Sequence, residues 1–208
     1  GDTDWYYFDD GEAERADSVS DLVTNDGDNE PVYRAKIKIN GKYFCFNEMG
    51  QMQTGLQYIA KDGGFYYFDE NGYMQDGKVS DVECDDDDYS FYFNTKNGSN
   101  GQGYTGEKDN YLYFNGKRLE ADDDYRLYYL NGDIYLVNNK GKIQSSKSDN
   151  KKYDIENRGI AAEDVNVTFT GKKVKEVKVE GGSTYTAAAL KQLAENAIKG
   201  TNFDPSED

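Results

Sequence analysis

Aromatic residues along the first 150 positions come in short runs, and each run closes on Asp or Asn. Trp5-Tyr6-Tyr7-Phe8-Asp9 is the first. Tyr43-Phe44-Cys45-Phe46-Asn47, Phe65-Tyr66-Tyr67-Phe68-Asp69, Ser90-Phe91-Tyr92-Phe93-Asn94 and Tyr111-Leu112-Tyr113-Phe114-Asn115 follow, and Ile134-Tyr135-Leu136-Val137-Asn138 is a weaker sixth. The closing positions are 9, 47, 69, 94, 115 and 138, so the spacings are 38, 22, 25, 21 and 23. A fixed period of that length marks a repeat architecture. The longer first gap holds an insertion or a decayed copy.

Each copy predicts a β-hairpin. Asn40-Gly41, Asp62-Gly63-Gly64 and Asn131-Gly132 stand just before a run, and such pairs accept the positive φ that a tight hairpin turn needs. A second glycine follows each closing residue, at Gly11, Gly50, Gly72, Gly98, Gly116 and Gly141. Just past most of these comes a small or apolar residue: Ala13, Met52, Met74, Leu119 or Ile143. Successive strand residues point to opposite faces. Tyr43 and Cys45 share one face with Phe44 and Phe46 on the other, and Phe65 and Tyr67 oppose Tyr66 and Phe68. Both faces are aromatic, so a lone hairpin could shelter neither. Stacked in series, hairpins shelter one another. The expected fold is mainly β: a β-hairpin solenoid of about six repeats of ~22 residues, with a small α+β C-terminal segment.

The pattern changes near residue 150. Residues 1–150 form the expected aromatic array, and Ser145 to Asn150 has linker composition. In 151–208, Val165–Phe169 and Val174–Val179 read as two strands joined near Gly171. A helix is expected from about Tyr185 to Lys199, capped by Ser183 or Thr184 and closed by Gly200. Ala188, Leu190, Leu193, Ala194, Ala197 and Ile198 give it an apolar stripe. This part reads as a cap on an open array end or as a separate module, and Tyr153–Gly159 as a decayed last repeat.

Composition sharpens the picture. The chain has 208 residues and a formal net charge of −16. Leu, Ile, Val and Phe make up 38 of the 208, a fraction typical of disorder at this charge, but 19 Tyr argue for a core built largely from rings. The acidity is concentrated in 1–150, where 30 acidic residues face 15 basic ones. Nucleic acid is therefore an unfavourable partner. With no His, neither a Ser-His-Asp nor a Cys-His triad can form, and two Cys alone cannot supply a usual structural zinc site. No apolar run is long enough to span a membrane as a helix.

Two copies carry a closer signature, Gly41-Lys42-Tyr43-Phe44-Cys45-Phe46-Asn47-Glu48-Met49-Gly50-Gln51-Met52-Gln53-Thr54-Gly55 and Gly64-Phe65-Tyr66-Tyr67-Phe68-Asp69-Glu70-Asn71-Gly72-Tyr73-Met74-Gln75-Asp76-Gly77. They resemble the cell-wall-binding repeats of choline-binding surface proteins, glucan-binding glucosyltransferases and clostridial toxins. The resemblance covers the chain up to about residue 160. It implies a noncatalytic module, secreted or on a Gram-positive bacterial surface, that attaches to choline-bearing wall polymer or carbohydrate without a cofactor.

In the choline-binding branch, pockets between neighbouring hairpins use a Trp after Thr-Gly, a Trp opening the aromatic strand, a ring from the next repeat and often the Met. Here Leu56 follows Thr54-Gly55, Lys78 follows Gly77, and only Trp5 keeps the strand-opening Trp. Quaternary ammonium groups gain most from Trp faces, so carbohydrate is the better-supported ligand. The candidate binding residues are Trp5, Tyr43, Met52, Phe65, Tyr67, Met74 and Tyr111, with core packing as the competing role for each. The rival functions are a spacer with decayed pockets and an acidic protein-interaction surface.

The acidic runs Asp85–Asp88 and Asp122–Asp124 read as solvated loops and lack EF-hand spacing, as does Asp26–Glu30; no metal is expected. Cys45 replaces a ring position and reads as buried, and a Cys45–Cys84 bridge stays open. Paired carboxylates could in principle hydrolyse a glycosidic bond, but a hairpin array offers shallow grooves rather than a cleft.

Overall fold

The computed structural model describes residues 3–24, 31–84, 86–95, 100–146, 152–157, 160–179 and 181–198. They are mainly β, with one α-helix among them. The chain forms two compact units. Among the described residues, the first takes those up to 104 together with 115–117, and the second takes 105–114 and those from 118 to 198.

In the first unit, Phe8–Asp9 pairs with Glu12–Ala13 across Asp10-Gly11. The long gap that follows holds a further pairing, Leu22–Thr24 with Val32–Tyr33. Then come two sheets of three antiparallel strands. One joins Ala35–Ile39, Lys42–Phe46 and Met52–Gln53, the other Gly55–Ile59, Gly64–Phe68 and Met74–Gln75. Gly77–Cys84 and Asp87–Phe93 form the next hairpin. The full repeat is thus a hairpin plus a two-residue third strand. Asn40-Gly41 makes the expected tight turn, with φ of 50° and 83°.

The residue closing each aromatic run has a specific structural duty. Asn47 Oδ1 accepts the amides of Met49 and Gln51, Asp69 Oδ1 those of Asn71 and Tyr73, and Asn138 Oδ1 those of Lys140 and Lys142. The Gly50, Gly72 and Gly141 amides donate to the carbonyls of the same three residues. Only a short side chain with an acceptor oxygen can clasp its own following turn this way. At Asn94 the loop is longer: Gly101, not Gly98, donates to the Asn94 carbonyl at 2.6 Å. Gly98 itself lies outside the described residues.

A second regularity links copies. The residue two places after each turn glycine packs against the turn glycine of the next copy. A Cβ on Gly50 would lie 3.3 Å from Ala13, one on Gly101 2.7 Å from Met74, one on Gly116 3.0 Å from the Gly103 Cα, and one on Gly72 would overlap Met52. The second unit repeats the joint, with a Cβ on Gly141 falling 2.9 Å from Arg118. Glycine at these sites makes room for a neighbour as well as for the turn.

The second unit opens with Gly106–Lys108 paired to Tyr111–Phe114. Its larger sheet runs Asp133–Asn138, Tyr125–Leu130, Lys152–Asn157, Ile160–Thr170, Lys173–Lys178 and Thr184–Thr186. Residues after 150 therefore supply four strands, where two were expected, and continue the sheet begun by Tyr125–Leu130, with Tyr125 parallel to Ile155. Of Tyr153–Gly159, read as a decayed repeat, the residues up to Asn157 belong to the strand Lys152–Asn157, and Arg158 and Gly159 lie outside the described residues. The helix is Ala187–Ile198. Its start is later than expected because 184–186 pair as a strand; the Ala189 amide then reaches Thr186 Oγ1 at 3.4 Å. Leu190 is buried as expected while Ala188 is exposed. The closing Gly200 and the residues 147–150 of the expected linker lie outside the described residues.

Candidate functional site

Trp5 precedes the first strand in extended chain. Its carbonyl accepts the Met52 amide at 2.8 Å, and the Gln51 side chain donates to Asp4 at 2.9 Å. These bonds hold the opening run against the next repeat and leave its rings uncovered: Trp5 is 63% exposed and Tyr6 45%. Trp5, Tyr7, Phe44, Met52, Glu70 and Tyr73 line a groove of about 360 Å³. Phe44 meets Tyr73 edge-on, with centroids 5.5 Å apart. Such a groove offers open ring faces for the apolar face of a sugar or for an organic cation, beside one carboxylate.

A second groove of about 390 Å³ shares Tyr73 with the first and is also lined by Lys38, Lys42, Tyr43, Gln75 and Asn100. A third, about 280 Å³, is acidic, with Glu70, Asp81, Glu83 and Asp88 around Leu56 and Tyr67.

The seven expected binding residues are dispersed. Trp5 and Met52 share the first groove, Tyr43 and Met74 the second, and Tyr67 lines the third, where it also stacks on Phe93 at 6.2 Å. Phe65 is 1% exposed and packs on Tyr58 at 5.0 Å, so it presents no open face. Tyr111 belongs to the second unit, with the Arg118 guanidinium 3.8 Å above its ring. Tyr7, Phe44 and Tyr73, which also line the first groove, stand outside the expected set. One signal for Tyr73 was its place next to a turn glycine, where other copies carry Gln51, Gln102 or Lys142.

The protein's own cations occupy several other rings. Lys36 lies 4.2 Å over Tyr66, and Lys117 4.0 Å over Tyr89. Trp5 has no such cover among the described residues.

Both cysteines are buried, and neither forms a disulfide. Burial pushes the Cys45 thiol up from about 9 to about 12, with Arg34 opposing weakly. In the second unit, carboxylate oxygens of Asp123, Asp124 and Glu156 lie within 4.8 Å of one another, but all three side chains are exposed.

Comparison with protein-family models finds no match, and neither does comparison with curated proteins. The chain is similar to solved structures of choline-binding proteins. Choline binding protein F from Streptococcus pneumoniae is 20% identical over 84% of this chain and 55% of its own, with a TM-score of 0.40. CbpJ from the same species is 16% identical over 71% of this chain and 55% of its own, with a TM-score of 0.26. An alternansucrase solved with isomaltononaose is 21% identical over 73% of this chain and 13% of its own, at a TM-score of 0.24. The chain thus spans about half the length of the choline-binding proteins it is similar to.

Proposed function

We propose that this chain is a noncatalytic module, secreted or displayed on a Gram-positive bacterial surface, that binds cell-wall polymer or carbohydrate through aromatic grooves between successive hairpins. The observation carrying this reading is the groove of Trp5, Phe44, Met52 and Tyr73, whose residues come from successive repeats and of which Trp5 is the most open to solvent. The glycine joints support the wider reading of 1–150 as a serial solenoid of about six repeats, with 151–208 as its cap or a small companion module. A single ring platform binds a sugar weakly, and several along one array add through effective concentration. The first groove has one carboxylate in its wall, whereas glycosidic hydrolysis uses a facing pair. Choline is a weaker candidate than sugar, because only one Trp is present.

The test is retention of the protein on purified cell wall, choline resin and immobilised glycans, repeated with Trp5→Ala and Tyr73→Ala. Retention on wall or glycan that each substitution reduces about tenfold supports the reading, that loss being what one ring–ligand contact of 1–2 kcal/mol supplies. Retention that ignores both substitutions removes the groove from the mechanism. No retention on any matrix leaves the spacer reading, which the buried Phe65 and the Arg118-covered Tyr111 favour.

A further inference from the structure

The two grooves that share Tyr73 differ in charge. The first has Glu70 and no cation in its wall. The second has Lys38 and Lys42 and no carboxylate, in a protein of net charge −16. The positive charge in this wall runs against the global excess. Among the described residues neither has a carboxylate within 4.0 Å, whereas nearby Lys36 is paired with Asp62 at 3.4 Å. Asp69, which does not line this groove, already accepts from the Asn71 and Tyr73 amides and from Gln75 Nε2.

The tyrosines position the ammonium groups. Lys42 Nζ lies 3.9 Å from the Tyr73 ring centre and Lys38 Nζ 5.7 Å from that of Tyr43. Cation–π contact holds a lysine in place without neutralising it. Both ammonium groups therefore keep their charge available toward a cavity of about 390 Å³, large enough for a monosaccharide, with the amides of Gln75 and Asn100 on its wall. Two full positive charges select an anion, and amide groups beside them suit sugar hydroxyls.

We infer that the Lys38–Lys42 groove is a second ligand site, which takes an anionic saccharide: a sugar bearing a phosphate or a carboxylate. This deepens the carbohydrate-binding reading, and it places recognition of the charged group on residues separate from Trp5.

The probes are glucose 6-phosphate, glucuronic acid, glucose and inorganic phosphate, titrated into the isotope-labelled full chain and followed by backbone amide shifts. Tighter binding of at least one charged sugar than of glucose or phosphate is expected, with shifts centred on residues 38–43 and 73–75. K38Q/K42Q should weaken it at least tenfold, since both charged hydrogen bonds to the anion are lost. The side chains are exposed, so the fold should hold, and an unchanged amide spectrum elsewhere checks this. Added salt should weaken the same interaction. Trp5→Ala should leave it unchanged, so failure of the aromatic groove and failure of this site read separately. Glucose binding as tightly as its charged derivatives, inorganic phosphate binding as tightly as the sugars, or no effect of K38Q/K42Q would each overturn the inference.

Discussion

The two units use the same turn chemistry and different cores. In the first, the buried side chains are rings and sulfur with little aliphatic filling: Cys45, Phe46, Phe65, Tyr66, Phe68, Phe91 and Phe93. In the second, one contiguous cluster of Leu127, Leu136, Val137, Ile155, Val165 and Val177 closes over a six-stranded sheet and the helix. Aliphatic chains fill space from all sides and leave no faces over. Rings packed in small sheets always have a second face, which must find a neighbour, a lysine or a ligand. The open grooves around Tyr73 follow from that choice of core material.

Deleting a large core side chain should test this separation most strongly. Phe68→Ala and Leu136→Ala should each cost about 3–5 kcal/mol, and both sites are fully buried. Native-state hydrogen exchange should speed up within 35–93 for the first and within 125–178 for the second. Acceleration spread evenly over the chain for either variant would erase the distinction between two cores.

Glycine joints come next. Gly72 has φ of 83° and its absent side chain is replaced by Met52. Gly132, also at positive φ, faces open space. Gly72→Ala should therefore cost about 2–3 kcal/mol and Gly132→Ala about 1, the strain of the backbone alone. Urea unfolding measures both, and adding Met52→Ala to Gly72→Ala should recover part of the loss. Equal costs at the two sites would mean that the joint contributes nothing beyond the turn.

The clasp should behave alike in both units. Asn47→Ala and Asn138→Ala each strip two amides of their acceptor and should cost about 1–3 kcal/mol, while Asn→Asp at either site should be mild, since Asp69 makes the same clasp. A large difference between the two alanine variants by thermal unfolding would show that the turn depends on its core after all.

The smallest effect, absent at neutral pH, is alkaline. Burial raises the Cys45 thiol from about 9 to about 12, and raises the Tyr66 hydroxyl from about 10 to about 12 with Asp62 and Tyr43 adding to it. The folded protein then holds protons that the unfolded chain releases, so this stability is complete below about pH 9 and is lost as pH rises toward 12. Cys45→Ala should remove the part of the decline that begins near pH 9, as read by urea midpoints at stepped pH. A decline starting at the same pH in that variant would assign it elsewhere, for instance to Tyr128, whose hydroxyl is also raised by burial.

What the sequence disclosed was mostly local. Asn40-Gly41 and Asn131-Gly132 were legible because tight hairpins demand positive φ there. The closing Asp and Asn were legible as a period, though their clasping role needed the coordinates. The third strands were too short, at two residues, to show any alternation. The set of rings around the groove was harder still. With both strand faces aromatic, a period of two cannot say which face stays open, so Phe44 and Tyr73 were indistinguishable from core. The continuous sheet through residue 150 was hidden because its join is a parallel contact between Tyr125 and Ile155, thirty positions apart.

The fit between one copy's trailing side chain and the next copy's bare turn has a consequence for ancestry. Donor and recipient sit on different copies, so the match is written once per boundary and never spans more than two. Duplication or excision at equivalent points would hand every survivor a compatible partner at the seam. At the five seams the trailing residue is Ala13, Met52, Met74, Gly103 or Arg118, while the residue it meets is glycine each time.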